Sequence, residues 1–262
     1  MTDISADKPT TDDGCQYHLE TRSGDLADRC LLVGSPERAE MIAKTYFTDA
    51  IKVGHHRGLR AFSGKYQGKY FSVVTTGMGS ASTGIVLPEA VRSGARAFIR
   101  VGSCGVLHAD LPPGSSCVCK AAVRLDGASE NWAPIQYPAF ADPHMAVALE
   151  RAARRLDLEF PWRAGVGITT TCFNEGQARP DDNGYIPPRI KMMHDELVQR
   201  GALFYSMEEA TLFVWCATHG EIPCGAVDAV YANRLTKDFA TIGDEQAARI
   251  ALEAFRTFDF NR

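Results

Sequence analysis

Short apolar runs alternate along this chain with segments in which apolar residues recur every three or four positions. The apolar runs end at glycines or polar residues, which predicts strands at 30–34, 70–77, 97–102, 116–125, 164–171 and 224–232. The segments with helical spacing predict helices at 35–46, 80–94, 144–157, 190–201, 206–220 and 243–258. This alternation predicts an α/β fold around one central sheet.

One stretch, residues 55–74, breaks the alternation. It consists of short strand-like pieces separated by glycines, a pattern typical of antiparallel strands joined by tight turns. We therefore predict a mixed sheet. No internal repeat or linker is visible, so residues 15–262 are predicted to form a single domain. The polar and acidic start, residues 1–14, is predicted to be a flexible tail.

Composition and charge narrow the classes of function. The 262 residues are 45% hydrophobic, which is enough for one large buried core. The sequence contains no apolar run long enough to span a membrane, and its start lacks the apolar segment of a signal peptide, so a cytoplasmic protein is expected. A formal net charge of −4 indicates no basic surface for nucleic acid or an anionic membrane. Any anion site must then be made by a local group of arginines.

The eight cysteines indicate no metal chemistry. They are scattered through apolar stretches without a Cys-x-x-Cys pair. This pattern is typical of free buried thiols in a reducing compartment and argues against a structural zinc site.

In open α/β sheets, ligands bind beyond the carboxyl ends of the strands. The first predicted strand is followed by Gly34-Ser35-Pro36-Glu37-Arg38. Ser35 can cap the next helix and Pro36 suits its first turn, so free backbone N–H groups and Arg38 could face an anion. An ordinary capped helix start explains the same residues.

Two further strand ends carry glycines. The turn at 76–80, Thr-Gly-Met-Gly-Ser, suggests dinucleotide binding, but residues 95–99 lack the acidic residue that would hold the ribose. Contact with a smaller ligand and a purely structural turn both stay open. Arg100, near the end of an apolar strand, needs either a carboxylate or a bound anion. Cys104 is a candidate nucleophile, but no adjacent base is indicated and an inert packed thiol explains it as well.

The stretch 122–142, AVRLDGASENWAPIQYPAFAD, is similar in length and residue order to the signature of the nucleoside phosphorylase family. Residues 34–38 resemble the family's Gly-Asp-Pro-x-Arg loop, 56–57 its His-Arg pair, and 100–105 its Arg-x-Gly-Thr-x-Gly strand end. From about Tyr17 to its last residue, the chain resembles the uridine phosphorylase branch of this family. The resemblance implies a partly barrel-like sheet and a homo-oligomer, a dimer or a hexamer, with shared active sites.

By this resemblance, phosphate is a co-substrate. It would bind the Gly34 backbone, Arg38, Arg57, Arg100 and Ser103, with Arg57 supplied by a neighbouring subunit. Three guanidinium groups provide bidentate, charge-assisted hydrogen bonds to one dianion. The resemblance implies no metal and no other cofactor.

The resemblance also implies a pyrimidine base. Residues 173–179 match the Phe-x3-Gln-x-Arg pattern of the uridine phosphorylases. The Gln177 carboxamide both donates and accepts, which suits N3–H and O2 of uracil, and Arg179 can neutralise charge at O4. Further base contacts are implied for Gly105, Phe173 and Arg234. Without the resemblance, Phe173 would be interpreted as a core aromatic.

For the sugar, the family has an acidic-Met-Glu segment before a helix, and this chain has Ser206-Met207-Glu208-Glu209. The match implies that Met207 and Glu208 bind ribose. It also implies that His18 reaches the 5′-hydroxyl across a dimer interface. A capping box of Ser206 with Glu209 explains the same helix start.

The activity implied is that of a pentosyltransferase, in which uridine and phosphate give uracil and ribose 1-phosphate. The catalytic residues would be Arg100, Gln177, Arg179 and Glu208. Purine nucleoside phosphorolysis is one alternative, although Tyr231 stands where purine-specific members carry an aspartate. A non-catalytic nucleoside-binding protein is another, because Ser35 and Ser206 replace acidic residues of the family. Gly58 stands where uridine phosphorylases that bind a monovalent cation carry a glutamate, so potassium binding is not expected.

Overall fold

The computed structural model describes residues 6–260. Its helices and strands follow the predicted alternation and form the predicted α/β domain. The strands are β1 (Arg29–Val33), β2 (Thr48–His56), β3 (Leu59–Tyr66), β4 (Lys69–Thr75), β5 (Ala97–Val106), β6 (Ser116–Leu125), β7 (Ala139–Phe140), β8 (Trp162–Thr170), β9 (Phe204–Ser206) and β10 (Cys224–Asn233). The helices are α1 (Pro36–Tyr46), α2 (Ser80–Arg92), α3 (Pro143–Arg155), α4 (Pro188–Gln199), α5 (Glu209–Thr218) and α6 (Asp244–Thr257).

Five of the strands close into a barrel. Around it the order is β5, β10, β6, β8 and β9, and β9 pairs back onto β5. From β5 the sheet continues outward through β1, β4, β3 and β2, while β7 pairs with β6. Parallel pairs include β1 with β4 and β5 with β10, whereas β10 with β6 and β5 with β9 are antiparallel. The predicted mixed, partly barrel-like sheet is confirmed.

Both faces of the central strands, such as β1, are covered, which explains why these strands are continuous apolar runs in the sequence. In β1, Cys30 and Leu32 pack into the core that includes α2 and α5. Leu31 and Val33 pack into the opposite core, which includes α1, α3 and α6. Successive strand residues point to opposite faces, so a strand that is buried on both sides has no position for a solvated polar residue.

Residues 55–74 lie in the antiparallel part of the sheet, where β2 pairs with β3 and β3 with β4. The predicted antiparallel pieces are therefore confirmed. Arg57 and Gly58 form the turn between β2 and β3 with φ values of 51° and 81°, the left-handed conformation that tight hairpin turns need. This turn holds Arg57 at an exposed tip.

Two helix starts bear on the site. As predicted, Ser35 caps α1 and accepts the Arg38 backbone N–H at 3.2 Å. Helix α5 begins at Glu209, three residues later than predicted, because Ser206 is the last residue of β9. The capping-box interpretation is therefore wrong. The Ser206 hydroxyl donates to the Glu209 carboxylate, while Glu208 occupies the N-cap position without a side-chain cap.

The first five residues of the predicted tail lie outside the described residues. In the rest of that segment, Thr10 forms an isolated β-bridge with Gln16, and the flexibility of the tail stays a prediction. None of the helices described between residues 6 and 260 combines the length and apolarity that a membrane span requires.

Candidate active site

A cavity of about 1680 Å³ lies where several strands end. Its walls come from the β1–α1 turn, the end of β5, the loop after β8, the β9–α5 junction and the end of β10. Eleven of the thirteen site residues expected from the sequence line it: Gly34, Arg38, Arg100, Ser103, Gly105, Phe173, Gln177, Arg179, Met207, Glu208 and Arg234. The fold therefore gathers residues that lie up to 200 positions apart in the chain, although their individual roles stay predictions.

Arg100, like Arg38, is a buried arginine of the cavity. Its Nη2 donates to Glu208 Oε2 at 2.5 Å, and its Nη1 donates to Glu209 Oε1 at 2.8 Å and also to Asp228. All four side chains are buried. The sequence left open whether Arg100 meets a carboxylate or an anion, and the structure shows carboxylates.

The charges of this cluster do not balance. One guanidinium faces three carboxyl groups, and burial raises the pKa of Glu209 well above its usual range, outweighing the opposite effect of Arg100. Burial raises the pKa of Asp228 as well. Desolvation would lower the pKa of Arg100, but the three acids outweigh it and raise that pKa. The arginine therefore stays charged, and the buried environment favours the neutral form of the acids.

Glycine at position 102 gives this cluster its space. A Cβ atom at Gly102 would overlap both the Arg100 guanidinium and the Asp228 carboxylate. Arg100 precedes Gly102 by two residues on β5, so both positions face the same side of the sheet. The Arg100 side chain folds back over Gly102 to reach its acidic partners.

Glu208 connects the cluster to the glycine turn at 76–80. Its Oε1 accepts the Gly79 backbone N–H at 2.6 Å, and the Ser80 hydroxyl donates to the Met207 carbonyl at 2.7 Å. Gly79 has a φ of 87°, a conformation that favours glycine. The turn thus positions the residues expected to bind ribose, which supports its structural interpretation.

Arg38 also has an acidic partner. Its Nε lies 3.0 Å from Asp244 Oδ2, and its Nη2 donates to the Tyr231 hydroxyl at 2.8 Å. That hydroxyl in turn donates to Asp244 Oδ1 at 2.7 Å. Burial acts to lower the pKa of Arg38, but Asp244 outweighs it and the pKa is raised. Sequence reasoning missed Asp244, whose only signal was its position at the start of a predicted helix.

Two further arginines of the cavity, Arg179 and Arg234, lie in a different environment. Arg179 Nη1 donates to Gln177 Oε1 at 2.5 Å and to the Phe173 carbonyl at 2.6 Å. Its guanidinium lies 3.9 Å from the centre of the Phe173 ring. Phe173 is 55% exposed, so the interpretation of this residue as a core aromatic is wrong.

Arg234 lies beside Arg179. Its Nη2 donates to the Ala178 carbonyl at 3.4 Å, and its Nη1 is buried without a hydrogen-bond partner. Within the described part of the chain, neither arginine has a carboxylate at ion-pair distance. Burial, followed by the charge of Arg234, lowers the pKa of Arg179 to about 10, and burial lowers the pKa of Arg234. A Cβ on Gly105 would lie within 3.7 Å of both arginines, so Gly105 forms the floor beneath them.

Two expected site residues lie elsewhere. Arg57 is exposed on the β2–β3 turn and does not line the cavity. His18 Nδ1 lies 2.7 Å from Glu89 Oε1, a buried carboxylate of α2 that also accepts the Leu19 backbone N–H at 2.8 Å. Neither residue reaches the cavity of its own chain.

Cys104, the candidate nucleophile, lines the cavity, and burial raises the pKa of its thiol well above the ordinary value. A nucleophilic cysteine needs a lowered pKa, so this shift favours the interpretation of Cys104 as an inert packed thiol.

The resemblance implies an acidic residue at position 206, where this chain has Ser206. The Ser206 hydroxyl contacts the carboxylate of Glu209, so an acidic group, supplied by the residue three positions later, lies next to Ser206.

The chain is similar to several known proteins. A family model described as the phosphorylase superfamily matches residues 28–256. A uridine phosphorylase from Thermococcus kodakarensis is 39% identical over 253 residues, which cover 97% of this chain and 90% of that protein. A uridine phosphorylase from Salmonella typhimurium is 33% identical over 92% of this chain and 96% of its own length. A guanosine phosphorylase from Halorubrum lacusprofundi is 28% identical over 83% of each chain.

Proposed function

The chain belongs to the phosphorylase superfamily, and from this membership we propose that it cleaves the N-glycosidic bond of uridine with inorganic phosphate. The products are uracil and ribose 1-phosphate. Relatives named uridine phosphorylase at 39% and 33% identity support this substrate.

The observation that carries the proposal is the group formed by Gln177, Arg179 and Arg234. Gln177 is 2% exposed and lines the cavity, so its carboxamide is held in place to donate to and accept from the edge of a uracil ring. The two arginines beside it have no carboxylate partner, and their positive charges favour a base that departs as an anion.

The second group of residues suits phosphate. Gly34 precedes α1, whose first turn provides backbone N–H donors and the positive end of the helix dipole. Arg100 uses three of its N–H donors on carboxylates, which leaves two of the roughly five that a guanidinium carries. Arg38 and the Ser103 hydroxyl complete the set that lines the cavity.

The proposed reaction proceeds with bond breaking ahead of bond formation. The C1′–N1 bond breaks, its electron pair passes to the base, and Gln177, Arg179 and Arg234 stabilise the charge that develops there. A phosphate oxygen forms the new bond to C1′, and uracil then takes a proton from solvent. Glu208 accepts hydrogen bonds from the ribose hydroxyls, with Met207 packed against the sugar.

Arg57 and His18 enter this scheme only through a second copy of the chain. We place both in the active site of a neighbouring subunit, because each lies outside the cavity of its own chain. Co-expression of Arg57→Ala with Arg179→Ala tests this arrangement, since reciprocal sharing restores one intact site in each mixed dimer. Recovery of activity over either variant alone supports it, and absence of recovery in mixed oligomers contradicts it.

The function itself is tested with a panel of uridine, thymidine, inosine and guanosine, incubated with and without phosphate. The expected result is release of uracil that depends strictly on phosphate. Release without phosphate would indicate a hydrolase, and uridine binding without release would indicate a non-catalytic binding protein. The purine alternative is weakened by Asp228, which is fully buried against Arg100, and preferential release of guanine or hypoxanthine would restore it.

A further inference from the structure

We propose that Glu209 and Asp228 are positioning residues that hold the Arg100 guanidinium and share one proton, so that Arg100 keeps enough positive charge to bind phosphate. The proposal deepens the proposed function and rests on it in one respect, namely that the anion at Arg100 is phosphate. Neither acid belongs to the set of site residues expected from the sequence.

The geometry distinguishes these two acids from Glu208. Glu208 lines the cavity, whereas Glu209 and Asp228 lie behind Arg100, outside the cavity wall and completely buried. Both bond to the same nitrogen, Nη1, and so fix the plane of the guanidinium. The opposite nitrogen, Nη2, bonds to Glu208. The two buried acids therefore determine which edge of Arg100 remains for a ligand.

The need for a proton follows from the excess of carboxylates over arginine and from one buried oxygen atom that has no hydrogen-bond partner. Three ionised acids around one arginine leave two buried negative charges without compensation, which is costly. Asp228 Oδ2 is buried and has no donor among the described residues. Glu209 and Asp228 accept from the same nitrogen of Arg100, so their carboxyl groups lie next to each other, and a proton held by this pair removes one negative charge.

Among the described residues, the titratable groups that face the pair are Arg100 and Cys104 from β5, Cys117 and Cys119 from β6, and Glu208 from the start of α5. Burial raises the pKa of the Cys104 and Cys119 thiols well above the ordinary value, so they stay neutral. The proton consequently belongs to the carboxyl pair.

The first experiment compares Glu209→Gln with Glu209→Ala. The amide keeps the shape of a protonated carboxyl, so we expect kcat and the KM for phosphate to stay within about threefold of the wild type. Truncation to alanine frees one edge of Arg100, and we expect kcat/KM for phosphate to fall by about a hundredfold, mainly through KM. An equal loss of kcat/KM for phosphate in both variants would overturn the proposal that Glu209 and Asp228 share a proton.

A second experiment keeps the test valid if Glu209→Ala does not fold. The Ser206 hydroxyl contacts the Glu209 carboxylate directly, so the double variant Ser206→Glu/Glu209→Ser exchanges the two groups across one contact. We expect it to recover at least tenfold in kcat/KM over Glu209→Ser alone. No recovery in a folded double variant would contradict the positioning role of this carboxyl.

Infrared spectroscopy detects the proton directly. The wild type should show the C=O stretch of a neutral carboxylic acid at pH 8, and Glu209→Gln should lose it. Asp126 is a matched control, because it is buried and bonds to Ser129 and Thr211 but not to Arg100. Asp126→Asn should retain both the band and the wild-type KM for phosphate. Absence of the band in the wild type would overturn the proposal, while phosphate-dependent uracil release would still uphold the proposed function.

Discussion

The four cavity arginines expected to bind substrate form two pairs, which differ in whether carboxylates lie at ion-pair distance. Arg38 and Arg100 are bonded to Asp244 and to three buried acids, respectively. Arg179 and Arg234 bond only to neutral groups among the described residues. The first pair is ion-paired with carboxylates within its own chain, while the second pair carries positive charge without a carboxylate at ion-pair distance among the described residues.

From this difference we infer that the two pairs of arginines have different roles. Under the proposed function, carboxylates fix the geometry of the arginines that would bind phosphate, so an entering anion would meet donors that are already oriented. Under the same proposal, the positive charge of Arg179 and Arg234 would be compensated when negative charge develops on the departing base. Stability and catalysis should therefore depend on different arginines.

The largest expected effect is on stability, at the carboxylate-paired arginine. Arg100→Met leaves three buried acids without their cation, and we expect the free energy of unfolding to fall by about 3–5 kcal/mol at pH 8. The loss should shrink towards pH 5, because the acids take up protons. Urea unfolding at both pH values measures it. A loss in unfolding free energy below about 1 kcal/mol at pH 8 would show that Arg100 does not stabilise the three buried acids.

The next effect is on turnover, at the unpaired pair. Arg179→Ala or Gln177→Ala removes one contact to the departing base, which typically costs about 3 kcal/mol at the transition state, or roughly a hundredfold in kcat. The melting temperature of Arg179→Ala should stay unchanged or rise, because a partly buried charge without a carboxylate partner is removed. Near wild-type turnover in both variants would refute the assigned base site.

A smaller effect concerns pH. The pKa of Glu209 is raised above its unfolded value of 4.5, so the folded protein binds a proton that the unfolded chain releases. The stabilisation is complete below that value and is lost as pH rises through the folded pKa, at up to about 1.4 kcal/mol per pH unit. Glu209→Gln should show a flatter profile of unfolding free energy against pH. If the unfolding free energy of the wild type and of Glu209→Gln had the same slope against pH, the raised pKa of Glu209 would be contradicted.

Much of this arrangement could be predicted from the sequence, because it depends on local patterns. The helix and strand alternation, the capped start of α1 and the antiparallel hairpins all follow from spacing and glycines. Strand β9 was missed, since its three residues, Phe204–Ser206, are too few to show a period.

The acidic partners of Arg100 could not be predicted in the same way. Glu209 and Asp228 lie 109 and 128 positions further along the chain, and no local spacing encodes such a contact. One signal was nevertheless present. Asp228 is a charge within an apolar strand, as Arg100 is, and two buried charges of opposite sign are natural candidates for a pair.

The central claim is that Arg179 and Arg234 are kept positive to receive an anionic base. Calorimetric titration of uracil across pH 6 to 9, in buffers of different ionisation enthalpy, tests it most directly. The account predicts that uracil binds more tightly as pH rises and releases a proton on binding, and that Arg234→Ala loses both effects. Uracil affinity that is independent of pH in the wild type, with no proton released, would contradict the account.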